Sequence, residues 1–147
     1  MKFNRIIFIN QYVGQLFYEL SMELSKKFKN GGMLIAGDVC QRDIRQELRS
    51  NLKYKKSISY SRRTKFSRLL SWVMYTLHIT IQLVFCKKND LILITSNPPI
   101  VHFCIFLIAK AKNISYVLLI YDIYPNILVS SGLLKNNHPI ISLWRFL

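Results

Sequence analysis

Residues 115–125 read Ser-Tyr-Val-Leu-Leu-Ile-Tyr-Asp-Ile-Tyr-Pro, and this run constrains the fold more than any other part of the chain. A nearly unbroken apolar stretch rich in β-branched and aromatic residues is the pattern of a strand covered on both faces, as in a parallel sheet. Asp122 stops the run and Pro125 closes it. In open α/β sheets ligands bind outside the carboxyl ends of the strands. Asp122 is therefore expected either to face a cleft or to cap the following helix, a role Asp fills well.

The rest of the chain supplies matching parts. Residues 5–10 (Arg-Ile-Ile-Phe-Ile-Asn) read as a first strand and residues 11–14 as the turn after it. From Gln15, the residues Leu16, Leu20, Leu24 and Phe28 recur at helical spacing, flanked by Phe17, so an amphipathic helix is expected to bury that stripe. Asn30-Gly31-Gly32 ends it. Residues 33–36 form a short second strand closed by Gly37-Asp38. Strand, helix and strand within about forty residues make a βαβ unit, hence a parallel sheet with a right-handed crossover.

Residues 40–65 differ. They are polar and basic, with Tyr54, Ile58 and Tyr60 interleaved, and read as an irregular excursion with one extended piece near 57–60. Residues 66–86 form a long apolar stretch without charge after Arg68. Ser71, Tyr75, His78 and Gln82 fall on one narrow stripe of that stretch. A helix with one polar stripe and a wide apolar face suits packing on a sheet or lying in a membrane interface better than crossing a bilayer. Lys87-Lys88-Asn89 ends it, and residues 90–95 are the next strand. Ser96-Asn97-Pro98-Pro99 must stop that strand, because proline cannot continue sheet pairing. Ser96 or Asn97 is expected to cap a helix over 100–112, followed by a strand over 115–121 and a short helix over 126–133. Pro139 opens a further helix still running at Leu147, which suggests a truncated product or one half of a larger architecture.

The predicted order describes an α/β fold with a single Rossmann-like doubly wound parallel sheet over residues 1–135. Residues 136–147 then start a further helix. At 147 residues the chain is one domain with material for a core. Its 21 Lys and Arg against 7 Asp and Glu give +14, which favours anionic partners: nucleic acid, acidic phospholipid, or phosphorylated small molecules. Cys40, Cys86 and Cys104 are scattered and odd in number, which argues against a disulfide framework and suits a reducing cytosol. His78, His102 and His138 form no cluster, and no metal or cofactor is expected. Only Gly14 follows the first strand, so the Gly-rich dinucleotide fingerprint is missing and an NAD or FAD site is not expected. Residues 1–14 do not form a convincing signal peptide, because Asn10, Gln11 and Gly14 interrupt the apolar run.

One constellation resembles a family. Asn10-Gln11-Tyr12 after the first strand, Tyr18-Glu19-Leu20 in the first helix, Asp-Leu-Ile-Leu-Ile-Thr-Ser-Asn-Pro-Pro over 90–99, Tyr121-Asp122-Ile123-Tyr124-Pro125 and Gly132-Leu133 together resemble the N-terminal domain of family 4 glycosyltransferases. These are retaining GT-B enzymes, and the likeness is to the bacterial polysaccharide and O-antigen group. It implies a cytosolic enzyme, peripheral on the inner face of the membrane, moving a sugar from a nucleotide-sugar donor to a lipid-linked acceptor. It implies further that Asp122 is the catalytic position and that Gln11, Tyr12, Gly14, Ser96, Asn97, Pro98 and Tyr124 line the acceptor cleft. The family's first loop is longer and richer in glycine than Gln11-Tyr12-Val13-Gly14. The family's C-terminal donor domain has no counterpart in these residues, so the chain alone is expected to be inactive.

The basic excursion fits such a role: Arg62, Arg63, Lys65 and Arg68, with aromatics nearby, suit an anionic membrane surface. Two other readings stand beside this one. The chain could be a non-catalytic subunit of a split glycosyltransferase that needs a partner polypeptide. It could also be a basic nucleic-acid-binding module, against which the absence of any recognition motif counts, so no nucleic-acid partner is expected.

Overall fold

The computed structural model describes residues 3–40, 51–98, 100–121, 129, 135–139 and 141–142. Five parallel strands form its frame: β1 (Arg5–Ile9), β3 (Gly32–Ala36), β5 (Leu52–Lys56), β6 (Asp90–Thr95) and β7 (Ser115–Leu119). Their spatial order is β5-β3-β1-β6-β7. The chain builds outward from β1 in one direction and then, after β5, in the other. The carboxyl ends of β1 and β6 therefore flank the topological switch point. β2 (Tyr12–Val13) and β4 (Asp38–Val39) pair in parallel as a separate small sheet just past the ends of β1 and β3.

Helices cover both faces, so the sheet is doubly wound and Rossmann-like. α1 (Gln15–Ser25) covers one face, where Ile6, Phe8 and Leu34 meet Phe17 and Tyr18. α2 (Lys65–Val84) and α3 (Val101–Lys112) cover the other, where Ile7, Ile9, Ile92 and Ile94 meet Tyr75, Ile79 and Ile105. Alternate strand residues feed the two cores, as the period of two requires.

Several expectations change. α1 buries Phe17, Tyr18, Ser21 and Ser25, while Leu16 is 81% exposed and Leu20 is also exposed. Phe17, Leu24 and Phe28 of the expected stripe do pack on the core, and only its first two leucines turn out, because small residues let this helix approach the sheet. A Cβ on Gly32 would lie 2.1 Å from Ser25 Oγ, so beside this serine the contact needs a glycine. The excursion is not wholly irregular: β5 pairs with β3 over Leu52–Lys56, and residues 57–60 are not a strand. Leu52 is buried and Lys53, Lys55 and Lys56 are exposed, as suits a strand at a sheet edge. β7 is the other edge among the described residues. Tyr116, Val117 and Leu118 are exposed, so this strand is not covered on both faces as its composition suggested.

The polar stripe of α2 faces the protein. Tyr75 is fully buried and its hydroxyl donates to Ile35 O at 3.2 Å. His78 Nδ1 lies 2.6 Å from Ser57 Oγ, and Lys55 Nζ donates to Gln82 Oε1. Ser71 Oγ accepts from Ser61 N at 3.4 Å. Every member of the stripe thus meets β3, β5 or the segment after β5. α2 opens on a capping box, Thr64 with Ser67, and closes on Lys112, whose ammonium donates to Leu83 O, Val84 O and Cys86 O. That cation satisfies carbonyls that a helix end otherwise leaves unpaired.

Candidate functional site

A cavity of about 330 Å³ opens at the switch point, lined by Asn10, Tyr12, Gly14, Leu16, Asn97 and Tyr121, with Gln15 and Phe17. Each wall residue has a structural reason to be there. Asn10 Oδ1 accepts from Tyr12 N at 3.3 Å, closing a local turn that swings the Tyr12 ring outward. β2–β4 pairing then fixes Tyr12 and Val13. At Gly14 nothing lies within 4 Å of where a Cβ would stand, and its φ of −80° is ordinary. The glycine leaves open space rather than answering a backbone demand.

The facing wall comes from β6 and β7. Thr95 Oγ1 donates to Asn97 O at 3.1 Å, holding the chain as it leaves the sheet through the cis Asn97–Pro98 bond. Ser96 Oγ accepts from Tyr121 N at 3.1 Å, and Ser96 N donates to Leu119 O. This staple sets Tyr121 beside Asn97. Burial pushes the Tyr121 phenol pKa up, so its hydroxyl remains a neutral donor well above neutral pH.

Of the residues expected at the cleft, Tyr12, Gly14 and Asn97 line the cavity, and Ser96 supports it from behind. Gln11 does not line it. Its side chain is buried and its Nε2 donates to Ile58 O and Ser71 O, while its backbone O accepts from Gly37 N and Asp38 N. Gln11 is a brace between β1, α2 and the segment after β5. Pro98 follows Asn97 without lining the cavity. Neither Ser96 nor Asn97 caps α3, whose N-cap is Ile100 without a side-chain bond. Asp122, Tyr124 and Pro99 lie outside the described residues.

The basic residues divide. Arg62 is brought to the rim of the cavity: its Cζ sits 5.1 Å from the Tyr12 ring centroid and 5.6 Å from that of Tyr60. Tyr60 in turn stacks on Trp72 at 6.5 Å and 11°. Asp38 holds the segment in place by accepting from Ser59 Oγ and Tyr60 N. Arg63, Lys65 and Arg68 are exposed and do not line the cavity. Leu16 and Tyr121 are wall residues not expected from the sequence. The exposed leucine at the start of an amphipathic helix is a signal that could have found the first.

The described wall holds amides, phenols and one nearby guanidinium but no carboxylate, thiol or imidazole. It is chemically a binding surface for a polar ligand with an apolar part and an anionic group. Among the described residues no group of His, Cys, Asp or Glu is placed to hold a metal ion. A larger cavity of about 540 Å³ lies at the opposite, amino edge of the sheet, lined in part by Lys53, Lys87 and Lys88. There Arg5 and Asp90 neutralise each other and the lysines are exposed, so it has no buried group aimed at a ligand.

No protein-family model matches this chain, and no curated protein matches it. Two crystal structures of the C-terminal domain of a hydrogenase from Pyrococcus furiosus superpose on it with a TM-score of 0.55 at 9% identity. Each alignment covers 80% of this chain and 92% of that one. At such identity the likeness shows the α/β fold and nothing about activity.

Proposed function

We propose that this chain is the acceptor-binding part of a GT-B glycosyltransferase, which moves a sugar from a nucleotide-sugar to a lipid-linked glycan acceptor in surface polysaccharide synthesis. One observation carries the reading. Asn10, Tyr12 and Gly14 on one side and Asn97 on the other, from two segments that bear much of the family resemblance, are more than 80 residues apart in sequence and line one cavity at the switch point. Tyr12 and Tyr121 offer faces for a sugar ring, Asn97 and Asn10 offer amide bonds, and Arg62 offers a fixed cation for a phosphate. Asp122 follows Tyr121 directly in sequence and is assigned the catalytic position by the same resemblance.

In this reading these residues form one wall of an interdomain cleft, and a second Rossmann-like domain supplies the donor wall. Arg63, Lys65 and Arg68 hold the protein on the anionic inner face of the membrane. The test is a titration of this chain with a short-chain polyprenyl-diphosphate sugar, followed by NMR. Tyr12→Ala and Asn97→Ala should each weaken binding at least about tenfold, the loss of one good polar or stacking contact. Lys53→Ala, at the far edge, should leave it unchanged. Equal binding by all three variants refutes the site, as does failure of the parent chain to bind. Sugar transfer by this chain without a second domain refutes the assignment of one wall.

A further inference from the structure

α2 is apolar on two sides, with Tyr75, Ile79 and Leu83 buried against the sheet and a second apolar face outside. Its polar stripe is spent on the protein, and this second face points to solvent. Phe66, Leu70, Val73, Leu77, Ile81 and Val84 recur every three or four residues and are all exposed, as are Leu69 beside them and Phe85 just beyond the helix. Phe66 is 76% and Phe85 is 75% exposed. α3 lies against α2 and adds Phe103, Phe106 and Leu107, also exposed. An ordinary surface helix turns charged residues to water, and α2 has none between Arg68 and Lys87. Contiguous apolar surface on this scale marks an interaction site.

Charge selects the occupant. Residues 48–89 contain no Asp or Glu, and neither do residues 91–121. Arg63, Lys65 and Arg68 stand at one end of the apolar face, and Lys87, Lys88 and Lys110 at the other. The three basic residues at the start of α2 oppose the helix dipole with no acidic side chain in that turn to relieve them. An external anion at that end would relieve them. Glu19 and Glu23 lie on α1, across the sheet. No helix among the described residues is long and apolar enough to cross a membrane. An apolar stripe with basic ends, on a helix that does not span, matches the boundary between headgroups and acyl chains.

We propose that the outer face of α2 and α3 lies in an anionic bilayer surface, with Leu77 and Ile81 among the acyl chains and the flanking Lys and Arg at the phosphates. This surface is separate from the acceptor cavity; the inference rests on the membrane attachment proposed above, to which it adds the apolar face, and not on sugar transfer. Their positions are nevertheless compatible. The amino end of α2 is tied through Ser71 to Gln11 beside the cavity, so a docked helix brings the cavity mouth to the headgroups.

The experiment is flotation of the full chain with vesicles of phosphatidylcholine and phosphatidylglycerol, against vesicles of phosphatidylcholine alone. The chain should float with the anionic vesicles. Leu77 and Ile81 are 54% and 57% exposed, so Leu77→Glu with Ile81→Glu leaves the core intact, which circular dichroism checks. That pair should weaken vesicle binding by at least about tenfold for each side chain withdrawn. Phe106→Glu with Leu107→Glu, on α3, gives an independent arm should the first pair fail to fold. Leu20→Glu, exposed on α1 across the sheet and away from the cavity, should change nothing. Undiminished flotation of both double variants overturns the proposal, as does absence of flotation by the parent chain. A soluble dimer that the Glu variants dissociate, without vesicle binding, also overturns it and makes a second copy the occupant. If flotation holds while the acceptor titration fails, the docking face stands and the transferase reading falls.

Discussion

Replacing Arg5 by methionine tests how the two central strands are held in register. Arg5 and Asp90 are the first cross-strand partners of β1 and β6. Asp90's side chain is only 6% exposed, and three donors reach it: Arg5 Nη2 at 2.6 Å, Arg5 Nε at 3.3 Å and Lys87 N at 2.9 Å. Methionine keeps the aliphatic stem but strips away both guanidinium bonds, leaving a carboxylate with one backbone donor. Removing one partner of a fully buried pair costs about 3–5 kcal/mol. Arg5 is partly open to water, which can reach the vacated site, so the expected cost is about 2–3 kcal/mol. With a urea slope of about 2 kcal/mol/M, the unfolding midpoint should fall by about 1–1.5 M at unchanged slope. Adding Asp90→Asn removes the stranded charge and keeps an acceptor for Lys87 N. The double variant should therefore recover about 1 kcal/mol relative to Arg5→Met alone. A cost below about 1 kcal/mol for Arg5→Met, or a further loss of stability on adding Asp90→Asn, would show that this pair does not hold the strands.

Two other outcomes follow from the same structure. Burial lowers the His102 pKa, so the unfolded chain takes up this proton first. The stabilising contribution is present above the unfolded value of about 6.5 and is lost as pH falls below it. Urea melts of His102→Gln should show less loss of stability between neutral and acid pH than those of the parent chain, and identical slopes would contradict the assignment. At Gly37 a Cβ would stand 2.2 Å from Ile58 O, a backbone atom that also accepts from Gln11 Nε2. Gly37→Ala should push the segment after β5 outward, change Trp72 fluorescence through its Tyr60 stack, and weaken acceptor binding. An unaltered spectrum together with unaltered binding would show that this approach does not hold the rim.

How far the sequence could be read depends on what each residue has to do. β1, β3 and β6 were legible because central parallel strands must be apolar on both faces, and Ile, Phe and Leu at those positions leave no other reading. β5 was not, because an edge strand carries lysines and looks like loop. β7 misled in the opposite sense: its apolar composition says nothing about which side of the sheet lies beyond it. On α1 the spacing placed Leu24 and Phe28 correctly but not Leu16 and Leu20, since close approach of helix to sheet favours Ser21, Ser25 and Gly32. The polar stripe of α2 was visible, but its direction was not. That depended on Ile35 O, Ser57 and Lys55 being available to receive it. At the candidate site the loops after β1 and β6 could be located from their breakers and prolines. The inward turn of Gln11 could not, because an amide side chain suits a brace as well as it suits a ligand.

The pairing of β2 with β4 has an energetic consequence for any ligand of the cavity. Residues 10–14 would ordinarily be a free loop whose ordering opposes binding. Here the Asn10 turn, the four bonds of Gln11 and the two-residue ladder have already removed that freedom during folding. A ligand meeting Tyr12 and Gly14 therefore loses little affinity to ordering this wall. The wall behaves as a fixed template, and adaptation to different ligands falls to the groups that approach it from elsewhere.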